Sequence, residues 1–176
     1  MDVEVRIRFT DPAKALERLL AIGKVIEEYQ STDVFFQPQG VVWDFEKQNL
    51  RLRRNVKGGQ DTVSFIYREV EWYRGSKKFK VEWKYTTVDS LEKAVQILNS
   101  WGMKEIIRYK KLGRRFQTNE PKHEIYYEEI EHIGPLAEIE RATKEEVDQA
   151  LTDIFTGIDY EVVSQSVPTL VKQKLV

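Results

Sequence analysis

Cysteine is absent from the 176 residues, which removes disulfides, thiolate-bound zinc, iron–sulfur clusters and thiol catalysis together. Histidine is nearly absent: His123 and His132 are the only two, and they lack the spacing of a zinc pair. Any metal is therefore expected on oxygen ligands. Long apolar runs are missing too. Nothing approaches the roughly 18 residues of a membrane span, and the N-terminus opens on charged alternation without an apolar leader segment. These absences predict a cytoplasmic protein with no membrane partner. Charge of one sign is not in excess either, with 28 Lys plus Arg against 29 Asp plus Glu. A sequence-independent grip on nucleic-acid phosphates has no global electrostatic support, so no nucleic-acid partner is expected. The glycine loops of nucleotide sites, GxxxxGK[ST] and GxGxxG after a strand, do not occur, and Gly58-Gly59 reads as a turn.

Apolar residues make up 41% of the chain and charged residues 32%, enough for a core and more charge than an ordinary surface calls for. The length suits a single domain over 1–176. Residues 2–9 set Val3, Val5, Ile7 and Phe9 against Asp2, Glu4, Arg6 and Arg8, the period of a strand. Asp11-Pro12 then starts a helix with an apolar stripe through Leu16, Leu19, Leu20 and Ile22, ended by Gly23. The plan returns later. Lys80, Glu82 and Lys84 alternate with Val81, Trp83 and Tyr85, Asp89 stands as the cap of a second helix, and Gly102 ends it. Two pseudo-repeated halves are implied.

Further strands are predicted over Val34–Phe36, Leu50–Arg54, Thr62–Tyr67, Ile106–Lys110, Arg114–Gln117, Glu124–Glu131 and Leu136–Glu140, and a third helix over Lys144–Phe155. The architecture expected is α+β: an eight-stranded antiparallel β-barrel, a tunnel, with helices packed outside.

Several strands carry a purely ionic face: Asp2, Glu4, Arg6 and Arg8; Arg51 and Arg53; Lys80, Glu82 and Lys84; Arg108 and Lys110; Glu138 and Glu140. One such face alone is what a solvated sheet surface looks like. Repeated around a barrel, the faces must point inward if the leucine-rich helix stripes are to find an apolar sheet surface outside. Burying ions costs several kcal/mol each unless they pair or bind a partner. Two carboxylates about 5 Å apart repel by roughly 3 kcal/mol at an effective dielectric of 20. Clusters such as Asp2 with Glu4 and Glu138 with Glu140 therefore call for a cation, and oxygen ligands favour Mg²⁺ or Mn²⁺. Facing Arg and Lys rows suit polyphosphate oxygens.

The run Asp2-Val3-Glu4-Val5-Arg6-Ile7-Arg8 resembles the ExExK signature of the CYTH, or triphosphate tunnel, superfamily, which includes class IV adenylyl cyclases, thiamine triphosphatases and inorganic triphosphatases. Thr32-Asp33-Val34-Phe35-Phe36, Leu50-Arg51-Leu52-Arg53-Arg54, the basic strand at Arg108 and Lys110, and Glu128-Glu129-Ile130-Glu131 leading to Glu138-Ile139-Glu140 follow in the family's order over nearly the whole chain. The sequence departs from the pattern in placing Asp2 where the signature has Glu, Arg6 where it has Lys and Glu128 where Asp is usual, and Ser166-Val167-Pro168 lacks the tyrosine that often follows that serine.

The resemblance implies metal ligands at Asp2, Glu4, Glu128, Glu138 and Glu140. It implies a triphosphate clamp of Arg6, Arg8, Arg51, Arg53, Arg68, Lys84, Arg108 and Lys110, with Lys80 and Glu82 also inward-facing. Glu4, Glu138 and Arg6 would carry catalysis. The substrates implied are a nucleoside triphosphate, thiamine triphosphate or inorganic triphosphate, either hydrolysed or, for ATP, cyclised to cyclic AMP and pyrophosphate. A non-catalytic nucleotide or polyphosphate-binding module is the alternative. Trp43 and Trp72 are candidates for a homodimer contact or an entry loop.

Overall fold

The computed structural model describes residues 3–73, 76–87 and 90–175, so Asp2 and Asp89 lie outside the described residues. Strand β1 (Val3–Phe9) leads into α1 (Pro12–Ile22), then β2 (Gly23–Pro38), β3 (Gln48–Lys57), β4 (Gln60–Tyr73) and β5 (Ser76–Thr87). Helix α2 (Leu91–Ser100) precedes β6 (Met103–Thr118), β7 (Glu124–Ile130) and β8 (Gly134–Arg141). The chain ends in α3 (Lys144–Phe155), β9 (Tyr160–Val162) and α4 (Val167–Leu175). The strands form one antiparallel sheet in the order β5-β4-β3-β2-β6-β7-β8-β1-β9. Val3 pairs Lys78 and Glu4 pairs Lys77, so β1 and β5 meet and β1 to β8 roll into a barrel whose seam is two residue pairs long.

Helix starts follow the capping chemistry. Asp11 accepts from Lys14 N at the start of α1, with Pro12 in the first turn where its missing N–H costs nothing. The cap of α2 is Ser90, one residue past the expected Asp89, and it accepts from Lys93 N. Thr143 and Glu146 close a reciprocal capping box on α3.

The apolar faces that lie under α1, α2 and α3 point out to those helices, whereas Trp83 and Tyr85 of β5 are exposed. Val5, Ile7, Phe9, Ile125, Ala137 and Ile139 are buried under Ala15 and Leu19 of α1 and Val147, Leu151 and Ile154 of α3. Val34, Phe36, Leu52 and Val63 are buried under Leu91, Val95 and Leu98 of α2. A third cluster lies on the inward face at one end of the barrel, where Phe35, Ile107, Tyr109, Ile130 and Leu136 meet Phe45 from the β2–β3 loop and Val167, Leu170 and Val171 of α4. Helix α4 and the short β9 were not foreseen from the sequence. Among the described residues no helix is long and apolar enough to cross a membrane.

Strand β6 departs from expectation most. The sequence reads as two strands with Gly113 between them, but Met103–Thr118 is continuous. Its inward residues are Tyr109 and Lys111, paired across to Asp33 and Ser31 of β2, so Arg108 and Lys110 point the other way.

Candidate active site

Inside the barrel lies a cavity of about 340 Å³ with a segregated lining. Glu4, Glu138, Glu140 and Glu128 come from the adjacent strands β1, β8 and β7, while Arg51, Arg53, Arg68 and Lys111 come from β3, β4 and β6. Register explains the grouping: Glu4 pairs Glu140 and Arg6 pairs Glu138 across β1 and β8, and side chains on paired positions share a face.

Within the acidic wall, Arg6 donates to Glu4 at 2.9 Å and also to Glu138. Burial works against the Arg6 charge, but Glu138, Glu4 and Glu128 outweigh it and hold the guanidinium above its ordinary value. Glu128 is engaged on both oxygens, by Tyr29 Oη and Lys111 Nζ, each at 2.7 Å.

The basic wall is organised by Asp33, which is fully buried. Arg53 grips it with Nε on Oδ1 at 2.6 Å and a terminal nitrogen on Oδ2 at 2.7 Å, and Arg51 and Lys111 approach to 3.7 and 4.0 Å. Burial alone would raise the Asp33 pKa, but Arg53 and Arg51 overcome it and hold the carboxyl below its ordinary range. Arg51 is short of negative charge. It is 8% exposed, its Nε has no hydrogen-bond partner, and burial together with Arg53 and Arg68 pulls its pKa down to about 10. Arg68 pairs with Glu82 across β4 and β5.

The cavity thus gathers Glu4, Arg6, Arg51, Arg53, Arg68, Glu82, Glu128, Glu138 and Glu140 of the residues expected there. It leaves out Arg8, which pairs with Glu161 of β9 at the end of β1, and Arg108, which turns outward to Glu105 and to Glu92 of α2. Lys110 is exposed, and Lys84, paired with Ile66 across β4 and β5, is exposed and outside the cavity lining. Asp2 and the side chain of Lys80 lie outside the described set. Trp43 packs edge-on against Tyr67, and the Trp72 side chain is not among those described.

Sequence reasoning missed Asp33, Lys111 and Tyr29. Asp33 had a signal, a lone acid directly ahead of the apolar run Val34-Phe35-Phe36.

Among the described residues no three acidic or histidine side chains are arranged as a ready-made metal cluster. The donor chemistry nevertheless suits Mg²⁺ or Mn²⁺, since Glu4, Glu138 and Glu140 offer only carboxylate oxygens from neighbouring strands. Arg6 supplies the positive charge between two of them.

No protein-family model and no curated protein sequence matches the chain. Solved structures do. The PH1819 protein of Pyrococcus horikoshii superposes with a TM-score of 0.83 at 18% identity, covering 99% of both chains. A protein from Hippeastrum, described as a candidate adenylyl cyclase with a dominant triphosphatase activity, gives 0.77 at 13% identity over 98% of this chain and 96% of that one. A candidate adenylate cyclase from Vibrio parahaemolyticus gives 0.66 at 18% identity over 96% of both. The chain shares the fold of these proteins over nearly its full length.

Proposed function

We propose that this protein is a metal-dependent triphosphatase of the CYTH type, binding the triphosphate of a nucleotide, thiamine triphosphate or inorganic triphosphate inside the barrel and hydrolysing it. The observation that carries the reading is Arg51: a buried guanidinium with an unpartnered Nε, crowded by Arg53 and Arg68, facing a cavity. Such a group needs an anion, and a chain of linked phosphates meets several cations at once. The acidic wall opposite suits a divalent cation, which would neutralise phosphate charge. Hydrolysis is chosen here because one protein of this fold is described as having a dominant triphosphatase activity, while others are described as candidate adenylate cyclases.

In this reading Arg51, Arg53, Arg68 and Lys111 hold phosphate oxygens and stabilise charge that builds on the leaving group. Asp33 fixes the direction of Arg53 and takes no part in the chemistry. Glu4, Glu138 and Glu140 would hold Mg²⁺ or Mn²⁺, which when bound neutralises phosphate charge and lowers the pKa of water. Glu4 and Glu138 are the acceptors at hand for the proton of an attacking water.

The test is product analysis after incubation with ATP, inorganic triphosphate and thiamine triphosphate, each with Mg²⁺ or Mn²⁺, beside Glu4→Gln. Orthophosphate release lost in the variant supports the proposal. Cyclic AMP with pyrophosphate makes the protein a cyclase instead. Metal-dependent binding without turnover makes it a binding module.

A further inference from the structure

Tyr29, Gly113 and Glu128 stand in one row across three neighbouring strands, since Tyr29 of β2 pairs Gly113 of β6 and Gly113 pairs Glu128 of β7. The middle position has no side chain, and the Tyr29 ring fills the space. A β-carbon at 113 would lie 2.1 Å from Tyr29 Cζ, 2.3 Å from Cε2 and 2.5 Å from the hydroxyl oxygen. Gly113 is not among the glycines with positive φ, so room for the ring, rather than backbone conformation, is what calls for glycine here.

Passing over Gly113, the Tyr29 hydroxyl donates to one oxygen of Glu128 at 2.7 Å, and Lys111, two residues before the glycine on β6, donates to the other at 2.7 Å. Glu128 is thereby engaged on both oxygens by donors from two strands. Its carboxylate is turned to organising the basic wall, in which Lys111 is 6% exposed and lines the cavity.

We propose that Tyr29, Gly113 and Glu128 form one positioning unit that fixes the Lys111 ammonium toward the triphosphate, with Gly113 acting only by leaving room for the Tyr29 ring. This rests on the triphosphate reading of the cavity. Tyr29 and Gly113 are positioning residues: they act through Lys111. A β-carbon at 113 displaces the ring, frees one Glu128 oxygen, and lets the carboxylate and its ammonium turn out of place.

The experiment is a double-mutant cycle on Gly113→Ala and Tyr29→Ala, with the affinity for inorganic triphosphate measured by calorimetry and the thermal midpoint recorded alongside. Gly113→Ala is expected to weaken binding about tenfold, the value of one charge-assisted hydrogen bond. In enzyme assays that loss appears in kcat/KM, shared between KM and kcat because Lys111 both holds phosphate oxygens and stabilises leaving-group charge. Tyr29→Ala weakens binding similarly, and the double variant is no worse than Tyr29→Ala, because alanine at 113 has no ring left to displace. The thermal cost of Gly113→Ala likewise vanishes in the Tyr29→Ala background.

Wild-type affinity in Gly113→Ala, or effects that simply add, overturns the proposal. Failure of the wild-type protein to bind triphosphate overturns the functional reading and the Lys111 role with it. The thermal cycle still decides whether ring and glycine are coupled.

Discussion

Asp33 and Arg53 stand opposite each other on β2 and β3 and are joined by two parallel hydrogen bonds of 2.6 and 2.7 Å, with the carboxylate sealed from solvent. Removing one partner of such a pair leaves buried charge uncompensated, here on Arg53, Arg51 and Lys111 together. Asp33→Asn is expected to cost about 3–5 kcal/mol at neutral pH. The folded-state pKa of Asp33 is depressed, so its contribution is present above the unfolded value and lost as pH falls through the folded value. Thermal midpoints of wild type and variant should therefore lie far apart at pH 7 and draw together below about pH 4, the ordinary aspartate range. A constant gap across that range would mean that the carboxylate charge is not what Asp33 contributes.

Arg51 should behave in the opposite way. Its pKa is drawn down to about 10 by burial, Arg53 and Arg68, which marks a cation the ligand-free protein holds at a cost. Arg51→Gln is expected to leave the thermal midpoint unchanged or raise it, while weakening inorganic triphosphate by about tenfold or more, the value of a lost charged hydrogen bond. Thermal shift with and without triphosphate measures both. A ligand present at 100 times its Kd adds about 2.7 kcal/mol to wild type, and the variant at the same concentration gains less. A variant that is destabilised but binds normally would make Arg51 a structural residue.

The parts of the site legible in the sequence are those on strands of unbroken period. Glu4 with Arg6, Arg51 with Arg53, and Glu138 with Glu140 each alternate with apolar residues, so their inward direction follows from the need of the helices for a greasy surface. On β6 the run Arg108-Tyr109-Lys110-Lys111 has polar groups in both phases, and basic character picked the wrong one. The β2–β6 ladder also shifts register between Phe35 and Phe36, which no local pattern announces. Residues 111–113 fall in neither of the strands expected there, and the role of Gly113 within β6 depends on Tyr29, 84 positions earlier by the numbering. Arg8 keeps the phase of Glu4 and Arg6 but lies where β1 pairs β9, a strand of three residues too short to show a period. The fold was easier to read than the site because burial is periodic, while pairing across distant strands is not.

Glu46 fastens the end of the barrel. Its carboxylate accepts from Ser166 N at 2.8 and 3.0 Å and from Ser166 Oγ at 2.8 Å, just before α4, whose Val167 and Pro168 line the cavity. Glu46→Gln removes the charge from these bonds and is expected to cost about 1–2 kcal/mol. The loss should be local. Hydrogen exchange of α4 should quicken while Val5, Ile7, Ala137 and Ile139, buried in the separate cluster under α1 and α3, keep their protection. Uniform acceleration across the chain would show that α4 is part of the global unfolding unit.

In the proposed reading Arg6 and a divalent cation would compete for the same carboxylates. Arg6 bridges Glu4 and Glu138 and is held charged by them and Glu128, so the ligand-free protein carries its own counter-charge at the place the acidic wall offers to Mg²⁺ or Mn²⁺. Arg6→Gln removes the positive charge that bridges Glu4 and Glu138, for an expected loss of about 3–5 kcal/mol. A cation should repair it. Millimolar Mn²⁺ is expected to raise the thermal midpoint of Arg6→Gln more than that of wild type, because the variant has no guanidinium to displace. Mn²⁺ affinity by electron paramagnetic resonance should tighten in the same direction. Equal shifts in both proteins would place the metal away from Glu4 and Glu138, and no shift in either would remove the acidic wall as a cation site.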